Sequence, residues 1–153
     1  MKQRGFTLLE IVIVISITML MVGFTISSFR LLNQSQALSK NADTVGTILR
    51  EARSMTLSSK NGSQYGVHLE TNQAVIFTGA VYASTTSSNL FYPLNTLGTI
   101  SSINLTSSST EVVFDRLTGD TSTSGIIVLN LLNDLSSTRT IRVSSTGLIE
   151  VLP

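Results

Sequence analysis

The 153-residue chain has no cysteine and a single histidine, His68. Without cysteine there can be no disulfide, no thiolate nucleophile and no cysteine metal site. An exported domain of this composition holds together by packing alone. One histidine excludes a multi-histidine metal site and leaves a Ser-His-Asp triad as the catalytic arrangement still open to it. Charge is also scarce: 12% of residues, with a formal net charge of +1. Nucleic-acid-binding domains are usually strongly basic, so this balance points away from them. No proline occurs before Pro93, so nothing of that kind breaks a helix in the first sixty residues.

What is present is concentrated at the N-terminus. Met1-Lys2-Gln3-Arg4-Gly5 is short, basic and ends in glycine. Phe6 to Phe29 is an almost unbroken apolar run whose only charge is Glu10. About 20 apolar residues suffice to cross a bilayer as a helix. Lys2 and Arg4 ahead of the run hold the N-terminus in the cytoplasm and send the remainder across. A secretory signal peptide would need a shorter apolar core and a small-residue cleavage site. Ser27-Ser28-Phe29-Arg30 is a poor site of that kind. Within this region Gly5 offers a protease an unhindered peptide bond. Phe6 becomes a new N-terminus if the bond is cut, and Glu10 lies one helical turn beyond it. An acid inside an apolar span costs up to about 2.5–3.5 kcal/mol at the centre and favours a cationic partner from another helix.

The helix is expected to continue beyond the apolar run. Leu38, Ala42, Val45, Leu49, Ala52 and Met55 recur at spacings of three and four and make one apolar face, with Lys40, Asp43, Arg50 and Arg53 on the opposite side. Gly46 weakens the pattern, and Lys60-Asn61-Gly62 is a plausible stop. After Gly62 the pattern changes to short strands: Tyr65 to Leu69 and Gln73 to Thr78 around a Glu70-Thr71-Asn72 turn, then Ile100 to Leu105, Glu111 to Phe114, Ile126 to Leu132, Thr138 to Val143 and Leu148 to Leu152. Val81 to Gly98 reads as a long loop. Leu117 to Asp120 and Ser144 to Gly147 read as turns. The fold class is α+β, with four segments: leader 1–5, membrane-spanning helix 6–29, amphipathic continuation 30–60 and β domain 61–153.

The order Gly5-Phe6-Thr7-Leu8-Leu9-Glu10, followed at once by a span, resembles the leader of type IV pilins and type II secretion pseudopilins. The resemblance implies cleavage after Gly5 by a prepilin peptidase, N-methylation of Phe6, and pairing of Glu10 with the N-terminal amine of a neighbouring subunit. It implies a pilin-like fold, a long N-terminal helix packed by its second half on an antiparallel β domain. It also implies a subunit that waits as a single-pass protein of the cytoplasmic (inner) membrane, β domain outside. The subunit then joins a pilus or pseudopilus with other pilins at an inner-membrane assembly platform. No cofactor is implied. Leu49 to Ser54, and the run from Val112-Val113-Phe114-Asp115 through Arg139-Thr140-Ile141-Arg142-Val143 to Gly147-Leu148-Ile149, are similar to GspH/FimT-type minor pilins. In that family the H-type subunit lies below the filament tip and primes assembly; the topmost pseudopilin lacks the acid found here as Glu10.

Two departures from the family matter. FimT-like DNA receptors carry a glycine-arginine motif near the C-terminus, but Gly147 here precedes Leu148, Ile149 and Glu150. Beyond Gly62, six acids face three arginines, Arg116, Arg139 and Arg142, whereas phosphate contacts need clustered cations. A DNA-uptake subunit or tip adhesin is therefore the runner-up. The span also lacks the proline of many major pilins; either Gly23 with Ser27 and Ser28 loosens the helix instead or the helix is straight. Asp115, Asp120 and Asp134 do not match an EF-hand spacing, and His68 would meet Ser109 or Ser124 only by coincidence of fold. Neither an enzyme nor a metal site is expected.

Overall fold

A computed structural model describes residues 6–153 and their side chains, save the side chains of residues 26–28, 30 and 31. The leader 1–5, including Gly5, lies outside the described residues. Helix α1 (Leu8–Leu57) is helical through Gly23, Ser27 and Ser28. The chain divides into two compact units between Gln34 and Ser35; each is described by itself.

In the first unit every residue from Phe6 to Thr25 is exposed. Leu8–Thr25 is long and apolar enough to cross a membrane. Such a helix must satisfy its own backbone and hydroxyls in lipid, and this one does. Ser16, Thr18 and Thr25 each donate to the carbonyl four residues back, those of Val12, Val14 and Met21, at 2.7–2.8 Å.

The second unit holds the rest of α1 and eight strands: β1 (Tyr65–Leu69), β2 (Gln73–Thr78), β3 (Leu90–Pro93), β4 (Gly98–Leu105), β5 (Glu111–Val113), β6 (Gly125–Leu131), β7 (Asp134–Val143) and β8 (Ile149–Leu152). They form two four-stranded antiparallel sheets, ordered β3-β2-β1-β5 and β4-β6-β7-β8. One core draws on α1 and both sheets. Leu38, Ala42, Val45, Leu49 and Ala52 of the helix pack with Val67, Ile76, Phe114, Ile127, Leu129 and Ile141, while Met55 joins it partly buried. Small residues on the helix face let the sheets come close. A Cβ on Gly46 would stand 2.8 Å from the Val151 side chain, so the residue that weakens the helical pattern is the one over which β8 crosses.

Polar ties fix the helix to the strands. Asn41, buried, exchanges two hydrogen bonds with the backbone of Asn95. Buried Thr56 donates to Ala52 O and accepts from Tyr65 N at 2.9 Å, locking the helix end to β1. The helix stops at Leu57. Ser59, Asn61 and Gly62 then take left-handed backbone angles, so the stop is shared among three residues.

Several sequence expectations change. The stretch Val81 to Gly98 is not all loop, because Leu90–Pro93 forms the edge strand β3 on β2. Strand β7 begins at Asp134, four residues before Thr138, through Asp134-Leu135-Ser136-Ser137, which alternation does not mark. Strand β2 is buried on both faces. Val75 and Phe77 point away from the main core, and Tyr82 covers that side, edge-on to Phe77 at 5.6 Å and stacked on His68 at 4.0 Å. Arg50 and Arg53 are not a purely solvated face. Arg50 donates to Ile149 O, and Arg53 donates to Gly119 O and Thr146 O, clasping two turns.

Candidate assembly site

The described part of the N-terminal site starts at Phe6. Thr7 is the N-cap of α1: its Oγ1 accepts the Glu10 N–H at 3.2 Å, and its carbonyl accepts the Ile11 N–H at 3.3 Å. Thr7-Leu8-Leu9-Glu10 is thus a capping-box sequence, with threonine at the cap and glutamate three residues on. Phe6 stands just outside the helix. This role of Thr7 was readable from the T-x-x-E spacing, although the cleavage motif that overlaps it draws attention elsewhere.

Glu10 is exposed, and its carboxylate has no hydrogen-bond or ion-pair partner among the described residues. It sits in the first turn, where the helix dipole favours a negative charge by about 0.3–1 kcal/mol. Thr7 Oγ1 accepts the Glu10 backbone N–H and does not bond its carboxylate. Glu10 is therefore a charged group with a local reason to be there and an unmet capacity to accept hydrogen bonds, on an otherwise apolar rod.

The remaining candidates do not assemble into a site. His68 lies between Glu70 (Nε2–Oε1 3.7 Å) and Glu111 (Nδ1–Oε1 3.6 Å) under Tyr82. Ser109 bonds to the backbone of Glu111 and Ser124 to Thr106, so neither meets the imidazole. Asp115 and Asp120 close one turn through their backbones, while Asp134 sits at the β6–β7 turn and is held by Ser136 and Ser137. No group of three or more histidine and carboxylate side chains placed to hold a metal occurs among the described residues. Arg139 donates to Ser39 and Arg142 faces Glu150 at 3.8 Å. Gly147, where the glycine-arginine motif would begin, instead forms a tight turn against Gly119 and Arg53.

Residues 1–26 match the prokaryotic N-terminal methylation motif. No curated protein matches the chain. Among solved structures, it is similar to two crystal forms of the type IV minor pilin FimU from Pseudomonas aeruginosa. The first has 17% identity and a TM-score of 0.56, over 76% of this chain and 93% of that one. The second has 16% identity and a TM-score of 0.57, over 76% of this chain and 88% of that one. At such identity the likeness speaks for fold: two antiparallel sheets on the second part of a long helix. The chain therefore carries the prokaryotic N-terminal methylation motif at the head of a type IV minor pilin fold.

Proposed function

We propose that the chain is a minor pilin or pseudopilin subunit, inserted in the cytoplasmic membrane and then drawn into a filament. The observation that carries this reading is the exposed apolar helix Leu8–Thr25 with Glu10 in its first turn and no partner for that carboxylate among the described residues. A soluble domain would bury such a surface. A membrane or a bundle of like helices covers it. Between lipid and helix bundle the hydrophobic effect hardly discriminates, since both are apolar. The charge at Glu10 then supplies register. Cleavage after Gly5 creates an amine on Phe6, and the Phe6 amine of one subunit pairs with the Glu10 carboxylate of the next. Prepilin peptidase is the processing partner and also methylates Phe6. Other pilins and an assembly platform are the remaining partners, and segments 1–5, 6–29, 30–60 and 61–153 are the functional divisions.

Within this class we favour a GspH/FimT-type, assembly-priming subunit of a type IV pilus or type II secretion pseudopilus. The two-sheet domain and the presence of Glu10 support it, because a subunit docking beside a neighbour needs that carboxylate. The engagement of Arg139 and Arg142 within the domain supports a role other than holding DNA. The test is incorporation: Gly5→Ala should leave the leader attached and keep the subunit out of sheared filaments. Normal incorporation of the uncleaved chain would contradict the reading.

A further inference from the structure

The β6–β7 turn departs from ordinary turn chemistry at one position. Its tip, between paired Leu131 and Asp134, is Leu132-Asn133, where tight hairpins favour Asn, Gly and Asp; Leu132 and nearby Leu135 are 59% and 72% exposed. The turn is also irregular. Asn130 pairs with Thr138 and Leu131 with Asp134, so residues 135–137 bulge from the ladder and carry Leu135 outward. The bulge is held rigidly: Asp134 accepts from Ser136 N–H, Ser136 Oγ and Ser137 Oγ at 2.6–3.1 Å. Leu97, half-buried, joins the same tip through its carbonyl, which accepts Leu132 N–H at 3.1 Å.

The direction of this tip follows from contacts inside the domain. Strand β8 runs opposite to α1, since Ile149 O meets Arg50 and Val151 lies over Gly46. Strand β7, antiparallel to β8, therefore runs with the helix, and its Arg139 reaches Ser39. Arg139 pairs with Leu129, so the hairpin extends past that level by four residues, Asn130 to Asn133, or about 13 Å at 3.3 Å each. It points toward the end at which Ser35 enters the domain. Only residues 26–34 separate that end from the apolar helix Leu8–Thr25, a tether that spans at most about 30 Å.

We infer that this tip is a lipid-docking element: Leu132 and Leu135, with Leu97, enter the headgroup–acyl boundary of the bilayer and seat the domain on the membrane before assembly. The occupant is a lipid surface because the tether attaches the domain to a membrane-spanning helix at the same end that presents the leucines. The tip's one charge is Asp134, so docking is apolar and indifferent to lipid charge. The inference rests on the reading that Leu8–Thr25 spans a bilayer.

The test uses the full chain, which has no native cysteine, reconstituted in phosphatidylcholine bilayers with acyl-brominated lipid. A single environment-sensitive fluorophore is placed at Asn133→Cys or, as a reference at the far end of the domain, at Asn61→Cys. The expected result is several-fold stronger quenching at position 133, unchanged by added salt. Adding Leu132→Ser and Leu135→Ser should reduce it to the level at position 61. Equal quenching at the two positions in membrane-retained chain overturns the inference alone. So does quenching that rises with the protein-to-lipid ratio, which would mean a second copy covers the tip, or quenching that needs anionic lipid. Chain that washes out of the bilayer overturns the spanning reading, and this inference with it.

Discussion

In the proposed filament, Glu10 is the residue that sets register. Thr7 caps the helix through the Glu10 N–H, so replacing the side chain alone leaves the local backbone intact. Glu10→Ala should therefore be inserted and cleaved normally, yet enter filaments about tenfold less, the effect of losing about 1.4 kcal/mol of pairing. Immunoblots of sheared filaments and of membranes separate the two effects, and equal incorporation would remove Glu10 from the account. A second residue-scale outcome concerns Asp134. Hydrogen bonds from the side chains of Ser136 and Ser137, and from the Ser136 backbone, hold its carboxyl below the usual carboxylate range. A lowered folded-state value means its contribution is present above the unfolded value, about pH 3.9, and is lost as pH falls through the folded one. Ser136→Ala with Ser137→Ala should move the Asp134 carboxyl up toward the ordinary value in a carbon-13 NMR titration and leave its acid-side stabilisation smaller. An unchanged titration would mean the hydroxyls do not hold it.

At the scale of elements, α1 was legible because its two signals are long: an apolar run without breakers, then apolar residues at three-four spacing. Strands β1 and β2 were legible because the polar turn Glu70-Thr71-Asn72 separates two short runs rich in apolar and aromatic residues. What was not legible has physical reasons. Strand β3 is four residues at a sheet edge, set among serines and threonines and ending in Pro93, so no alternation marks it. The start of β7 is set by the Asp134 turn rather than by side-chain pattern. Arg50 and Arg53 look like solvated charges in sequence, but they reach carbonyls that only tertiary structure brings within range. Gly46 looked like a flaw in the helix, and its reason lies 105 residues away at Val151. That contact makes a prediction for the element pair. Gly46→Val should destabilise the domain by about 2–3 kcal/mol through overpacking, despite valine's better helix propensity. Val151→Ala in the same chain should recover part of that loss, read by thermal or urea unfolding. Additive losses would mean that β8 does not cross at Gly46.

At the scale of the whole molecule, the domain from Ser35 onward holds its own core, and every residue from Phe6 to Thr25 is exposed. The domain's core is closed by both sheets and the second part of α1, with no disulfide to help. The exposed segment Leu8–Thr25 is long and apolar enough to cross a membrane, and in the proposed function lipid or other subunits cover it. The N-terminal methylation motif was readable in the order of Gly5, Phe6 and Glu10. The unpartnered state of the Glu10 carboxylate and the capping role of Thr7 needed the structure. The most direct test of the central claim is the mass of the N-terminal peptide of the chain isolated from cells that contain a prepilin peptidase. The account predicts a chain that begins at an N-methylated Phe6, with Met1 to Gly5 removed. A chain that retains Met1, or that begins after the apolar run, would contradict it.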